Sequence, residues 1–318
     1  MRTVYIDRKN AELTAESGAL VVRIPGERPT SLPLAAIERL VVRGAATLST
    51  GLLGELWRQD AGVLVLSGRR SEPTARLLGR PHADAGLRLA QYALQADRER
   101  RAALARRLLL GKLQGQRRVL ARALETRPDR RRPLLRAVRG IAEIEAALDA
   151  AVSGDLPRLL GLEGAAAAAY FQGFATLFAP ALAFTARNRR PPRDPVNAAL
   201  SLGYTLLHFE AARQCQIVGL DVQLGILHEP APGRDALACD LVEPVRAHVD
   251  QLVLELFAGG ELRPEHFRQD ASGCLMGKAG RERFYAGYER RAAGLARLLR
   301  LLARSVAREI RAAGETAR

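Results

Sequence analysis

The sequence predicts an α+β protein, with a small β-rich N-terminal domain followed by a larger all-helical domain. Three observations carry this. The first 80 residues alternate short β-branched runs with Gly, Pro and polar turns. From residue 87 onward, apolar residues recur with the period of a helix. Between the two, "SGRRSEPTARLLGRPHADAG" is polar and carries Gly and Pro, which marks a domain boundary.

Taken in order, "TVYIDR", "ALVVRIPG", "ERLVVRG" and "GVLVLSG" read as strands, and "TGLLGELWRQD" as the one helix among them. The β-rich domain is placed at 1–80, a linker at 81–95 and the helical domain at 96–318. In the second part, "LRLAQYALQADRERRAALARRLLLGKLQGQRRVLARAL" has Leu and Ala on one stripe and Arg on the rest. "TRPDRRRPLLRAVRGIAEIEAALDAA" starts with a basic turn and continues as helix. A third helix is placed after Gly161, and others across 196–220, 241–258 and 281–311. The run "GAAAAAYFQGFATLFAPALAF" is hydrophobic but short and rich in small residues. It reads as a buried helix broken by Pro180, not as a membrane span.

Apolar residues make up 48% of the 318, enough to bury a core and to exclude a disordered polyelectrolyte. The formal charge is +15, and nearly all the excess is Arg, since Lys9, Lys112 and Lys278 are the only lysines. Arg presents a planar fork that matches phosphate oxygens, so nucleic acid is the first partner considered. A GC-rich genome, which inflates Arg and Ala together, is the alternative source of the same count. Cys215, Cys239 and Cys274 form no CxxC and no even framework, which points to a reducing, cytoplasmic setting and away from structural zinc or disulfides. The start "MRTVYIDRKN" has no apolar signal region.

Against that basic background, "ILHEPAPGRDALACDLVEPVR" pools negative charge. His228, Glu229, Asp235, Asp240 and Glu243, with Asp221 just upstream, surround a Pro-Gly turn. Asp240 and Glu243 are three apart in a helical stretch and share a face. Alone, such a pair reads equally as carboxylates favoured by a helix N-terminus. One imidazole with two or three carboxylates suits an octahedral divalent ion, Mg²⁺ or Mn²⁺, better than zinc. A further oxygen ligand must come from elsewhere, and Glu163 in "GLEGAAAAAYF" is the candidate. Its alternative role is a first-turn carboxylate on the helix dipole. Asn197, Ser201 and Tyr204 lie on one helix face behind the basic loop "RNRRPPRDP" and either line a cleft or satisfy neighbouring helices. His208 reads as a core histidine, Lys278 as a solvated loop lysine or a phosphate contact, and Arg300, Arg304 and Arg308 as a basic stripe.

Five segments, "LLGLEGAAAAAYF", "RDPVNAALSLGYTLL", "GLDVQLGILHE", "CDLVEPVR" and "GCLMGKAGRERF", occur in this order. Together they resemble the CRISPR-associated integrase family, the metal-dependent DNases of spacer acquisition, over nearly the whole chain. The resemblance implies metal ligands at Glu163, His228 and Glu243, with Asp240 as a neighbouring catalytic acid. It implies a β-rich domain serving dimerisation and DNA contact. It implies joining of the 3′-OH ends of a spacer-precursor duplex to a CRISPR repeat, by homodimers assembled on a small ferredoxin-like Cas partner. Where the family often carries Asn in the helix near "GKLQGQ", this chain has Gly115, and no role is carried onto it. A stand-alone metal-dependent nuclease acting on branched or single-stranded DNA in repair is the rival expectation, and a non-catalytic DNA-binding scaffold is a more distant one.

Overall fold

Residues 3–82, 84–149, 155–188 and 191–316 are described by the structure, a computed structural model. Ala150 and Ala151, at the end of the helix expected over 126–151, and Arg189 and Arg190 of the basic loop lie outside the described residues. The chain divides into two units, Met1–Ala83 with Glu289–Ala293, and Asp84–Tyr288 with Gly294–Arg318.

The first unit holds β1 (Thr3–Ile6), β2 (Ala11–Glu16), β3 (Ala19–Arg23), β4 (Thr30–Pro33), β5 (Arg39–Arg43), β6 (Ala46–Leu48), helix α1 (Thr50–Arg58), β7 (Gly62–Leu66) and β8 (Pro73–Leu77). One sheet has the order β1-β5-β7-β8, parallel across its first three strands and antiparallel at β8; the other has the order β4-β3-β2-β6. Near-continuous apolar runs at β5 and β7 are what strands inside a parallel sheet require. Leu13, Leu20, Leu40, Leu52, Leu56 and Val63 meet in one core that joins both sheets and α1. Ser49 caps α1 by accepting from Leu52 N at 3.2 Å. Sequence reading missed β2, β4, β6 and β8. All are partly exposed and carry polar or small residues, and β8 falls inside the polar stretch read as a boundary.

The second unit holds α2 (Ala85–Ala96), α3 (Arg98–Thr126), α4 (Arg131–Asp149), α5 (Leu156–Ala175), α6 (Pro195–Val218), α7 (Ala236–Val242), α8 (Arg246–Ala258), strands β9 (Phe267–Asp270) and β10 (Gly273–Met276), and most of α9 (Lys278–Thr316). N-terminal strands therefore precede a helical domain, as expected for the α+β class. Two differences have local causes. Residues 85–95 of the segment expected as linker are already helical, in keeping with the helical period from residue 87, and Asp84 caps them through Leu87 N. The β9–β10 hairpin adds a small sheet to the helical unit; its polar "FRQD" strand leaves little to read in sequence.

Asp N-caps start α2, α3, α5 and α6. Asp97 accepts from Arg100 N at 3.0 Å and splits the helix expected across 87–124 into α2 and α3. Asp155 caps α5 and Asp194 caps α6, each followed by Pro in the first turn, where a missing N–H costs nothing. Within the bundle α3, α4 and α5 pack on one another. Gly173 of α5 meets Ala137 so closely that a Cβ there would lie 2.6 Å from the alanine methyl. No helix among the described residues is long and apolar enough to cross a membrane.

Candidate metal centre

The acidic pool divides between distinct tasks. Asp221 Oδ1 accepts from Gln223 N at 2.9 Å. Glu229 pairs with Arg101 at 2.8 Å. Asp235 lies 3.9 Å from Nε2 of His208, which is half-buried and not the core histidine expected. Asp240 and Glu243 remain, and they part company. The stretch expected as one helix from 241 to 258 is broken, with α7 ending at Val242, a tight turn Glu243–Val245 and α8 from Arg246. Pro244 lacks the N–H that would continue a helix. Asp240 is therefore in the last turn of α7, where a helix dipole opposes a carboxylate, and the helix-N-terminus explanation does not apply to it.

Asp240 is 1% exposed and turns back onto the preceding loop. Its Oδ2 accepts from Ile226 N at 2.5 Å and Leu227 N at 3.1 Å, and its Oδ1 from His228 N at 3.1 Å. The same Oδ1 lies 2.6 Å from His228 Nδ1. A buried carboxylate at that distance makes Nδ1 the protonated nitrogen and leaves Nε2 as the lone-pair donor. The loop is also held from outside. Gln91 of α2 accepts from Asp221 N and donates to the Asp221 and Leu224 carbonyls. Gln95 donates to the Gly225 carbonyl at 2.9 Å and Arg101 to the Ile226 carbonyl at 2.8 Å.

Glu163 lies well inside α5, which begins at Leu156 and not after Gly161, so the first-turn dipole explanation is removed. Its Oε1 contacts Lys112 Nζ. Glu243, 6% exposed, brings Oε2 to 2.6 Å from the same ammonium, an ion pair outside hydrogen-bond alignment, and accepts through Oε1 from Arg246 at 2.6 Å. Burial pushes the Glu243 carboxyl up, but Arg246 and Lys112, with His228 adding, outweigh it and hold the pKa at about 2. Carboxylates 80 residues apart in sequence thus meet on one buried cation. Among the described residues, no three His, Cys, Asp or Glu side chains are gathered tightly enough to hold a metal ion. The donor set itself, two carboxylates and an imidazole with a free Nε2, matches a hard divalent ion.

Behind Glu243 runs a buried polar ladder. The Arg246 guanidinium stacks 4.4 Å over the Tyr204 ring, and Arg187 sits 5.3 Å from it. Tyr204 donates to Asp250 Oδ1 and Tyr170 to Oδ2. Arg187 also donates to Asn197 Oδ1 at 2.7 Å and Ser201 Oγ at 3.1 Å, so the polar face of α6 is satisfied internally. Burial pushes the Asp250 carboxyl up to about 6, against the two tyrosines, Arg246 and Arg187. A raised native pKa contributes stability that is present below the unfolded value and lost as pH rises to 6. Asp250→Asn, which leaves one tyrosine hydroxyl without an ideal acceptor, is therefore expected to be more costly at pH 4 than at pH 7. The difference is about 2 kcal/mol, and denaturant melts of both proteins at the two pH values measure it.

Sequence reasoning missed Lys112, Arg246, Gln91 and Arg101. Lys112 carried a signal, as one of three lysines, flanked by Gly111 and Gly115 on an Arg-rich helix. The exposed members of the C-terminal stripe are Arg304 and Arg308, whereas Arg300 donates to Gln214 at 3.2 Å.

The family model described as "CRISPR associated protein Cas1" matches residues 4–290. A CRISPR-associated endonuclease Cas1 of Thermodesulfovibrio yellowstonii is 36% identical over 298 residues, covering 91% of each chain. A Cas4 exonuclease/Cas1 endonuclease fusion of Rhodospirillum rubrum is 36% identical over 295 residues, covering 91% of this chain and 50% of the fusion. Among solved structures, a Cas1 protein from Thermotoga maritima superposes with a TM-score of 0.84 at 21% identity, covering 98% of this chain and 97% of that one. A casposase bound to integration product gives 0.85 at 20% identity, covering 98% and 91%. These two structures speak for the fold.

Proposed function

The chain belongs to the Cas1 family, and from this we propose that it is a divalent-metal-dependent DNA endonuclease and integrase, joining the 3′-OH ends of a spacer-precursor duplex to a CRISPR repeat by transesterification. The observation that supports the metal site is the meeting of Glu163 and Glu243 on one buried cation, in a unit that also fixes His228 through Asp240.

In this reading Glu163, His228 and Glu243 are the ligands. A Mg²⁺ or Mn²⁺ ion held there supplies Lewis-acid charge to the phosphoryl oxygens. The chain's own residues do the rest. Asp240 locks the imidazole tautomer so that Nε2 is available. Arg246 keeps Glu243 ionised and aimed, and the Tyr204 ring supports Arg246 from beneath. The attacking hydroxyl comes from the DNA, so the protein needs no nucleophile. Tyr170 and Tyr204 are poorly suited to be one, because burial pushes both phenols well above their ordinary range and Asp250 takes their protons in hydrogen bonds. The Arg-rich surface binds DNA phosphates. The working assembly is a homodimer on a small ferredoxin-like Cas partner, in the cytoplasm, with the β-rich unit serving dimerisation and DNA contact.

The test uses the protein with its Cas partner, a repeat-bearing supercoiled target and a short duplex ending in either 3′-OH or dideoxy termini. Both duplexes are expected to bind equally, since arginines reading phosphates barely sense one hydroxyl. Joined product is expected only from the 3′-OH duplex. Equal product from both, or a protein–DNA adduct that survives denaturation, rules out direct transesterification.

A further inference from the structure

Lys112 sits in the middle of α3 and is 2% exposed. Its ammonium contacts Glu163 Oε1 and lies 2.6 Å from Glu243 Oε2. The glycines beside it make this possible. A Cβ on Gly111 would press on Pro244 at 3.1 Å, and one on Gly115 on Ala247 at 3.2 Å. Without side chains at those positions, the Glu243–Val245 turn lies directly on α3 and delivers Glu243 to the lysine. Two carboxylates brought this close repel unless a positive charge stands between them. A divalent ion using the same two carboxylates needs the same position.

We propose that the Lys112 ammonium is a built-in occupant of the cation position, holding Glu163 and Glu243 together in the metal-free protein and leaving when a divalent ion enters. This rests on the reading of Glu163, His228 and Glu243 as ligands. A destination for the displaced group exists. Gln116 lies one turn further on the same face of α3, is 2% exposed, and its Oε1 has no hydrogen-bond partner among the described residues. Metal binding is then an exchange of cations. The apparent affinity is lower than the intrinsic one by the fraction of molecules whose lysine has withdrawn.

With three lysines in the chain, ¹³C,¹⁵N labelling of both lysine and histidine in the full-length wild type gives three lysine side-chain signals beside the histidine rings. On Mg²⁺ titration, the Lys112 signal is expected to shift with the same midpoint as the His228 ring, while Lys9 and Lys278 stay put. A His228 response with Lys112 unmoved overturns the proposal. In calorimetry with Mn²⁺ and no DNA, Lys112→Met is expected to bind about tenfold tighter or more than wild type, and Lys112→Gln serves if Met impairs folding. Unchanged or weaker affinity, with His228→Ala still abolishing binding, overturns the exchange and leaves the ligand assignment standing. Binding that His228→Ala does not alter removes the ligand assignment and the proposal together.

Discussion

Glu163→Gln, Glu243→Gln and His228→Ala are each expected to lower metal-dependent DNA cutting and joining by about a thousandfold or more, while the protein stays folded. The amides keep the volume of the carboxylates and remove their charge, so they separate chemistry from packing. Glu243→Ala is a poorer test, because it takes from the buried Arg246 its carboxylate acceptor and leaves Lys112 with Glu163 alone, at a cost of about 3–5 kcal/mol. Asp240→Ala is expected to be milder in turnover, roughly 10- to 100-fold, since Asp240 orients the imidazole and does not bind the ion. It should lower stability more, because three backbone N–H groups lose their acceptor. Turnover at saturating Mn²⁺, alongside thermal melts, ranks these effects. If all three ligand variants keep near-normal turnover, the site is misassigned, and if Asp240→Ala is the more severe in turnover, Asp240 is itself a ligand.

Gly225→Ala is expected to destabilise the helical unit by about 3 kcal/mol or more and to abolish activity with it. A Cβ at this position would lie 2.1 Å from the His228 carbonyl oxygen, 2.7 Å from the Ala236 methyl and 3.0 Å from Asp240 Oδ2. Two of these are a backbone atom and a carboxylate already committed to three amides, so neither gives way cheaply. Room is made by opening the loop, which pulls His228 away from Asp240 and breaks the bond from Gln95 to the Gly225 carbonyl. For a unit of this size the loss corresponds to a fall in Tm of about 6–12 °C. Gly164, with nothing within 4 Å of its would-be Cβ, is the control, and Gly164→Ala should be neutral or slightly stabilising. A Gly225→Ala protein that melts and turns over like wild type would mean that the loop is not closed this tightly.

Legibility in the sequence followed burial. β5 and β7 were readable because each holds an unbroken apolar run, Leu40–Val42 and Val63–Leu66, whereas β2, "AELTAE", and β8, "PTARL", carry polar or exposed positions that dilute the period. The break between α2 and α3 was available as Asp97 inside a continuous amphipathic pattern, but one capping residue does not outweigh the period around it. Glu163 stands out by its chemistry, but the small residues after Gly161 hide where its helix begins; "DLP" at 155–157, an Asp cap with Pro in the first turn, marks the true start. The pooled carboxylates of 221–243 were visible, but not their division, because Arg101 and His208, which face Glu229 and Asp235, come from other segments of the chain. Lys112 stayed hidden for the same reason: its partners lie 51 and 131 residues away.

Crystals of the full chain soaked in Mn²⁺, with diffraction recorded at a wavelength where manganese scatters anomalously, test the metal centre most directly. A single anomalous peak is expected at about 2.0–2.3 Å from the Glu163 carboxylate, the Glu243 carboxylate and His228 Nε2, with the Lys112 ammonium no longer between the two glutamates. Manganese bound only at other residues, with Glu163 and Glu243 still closed on Lys112, would contradict it.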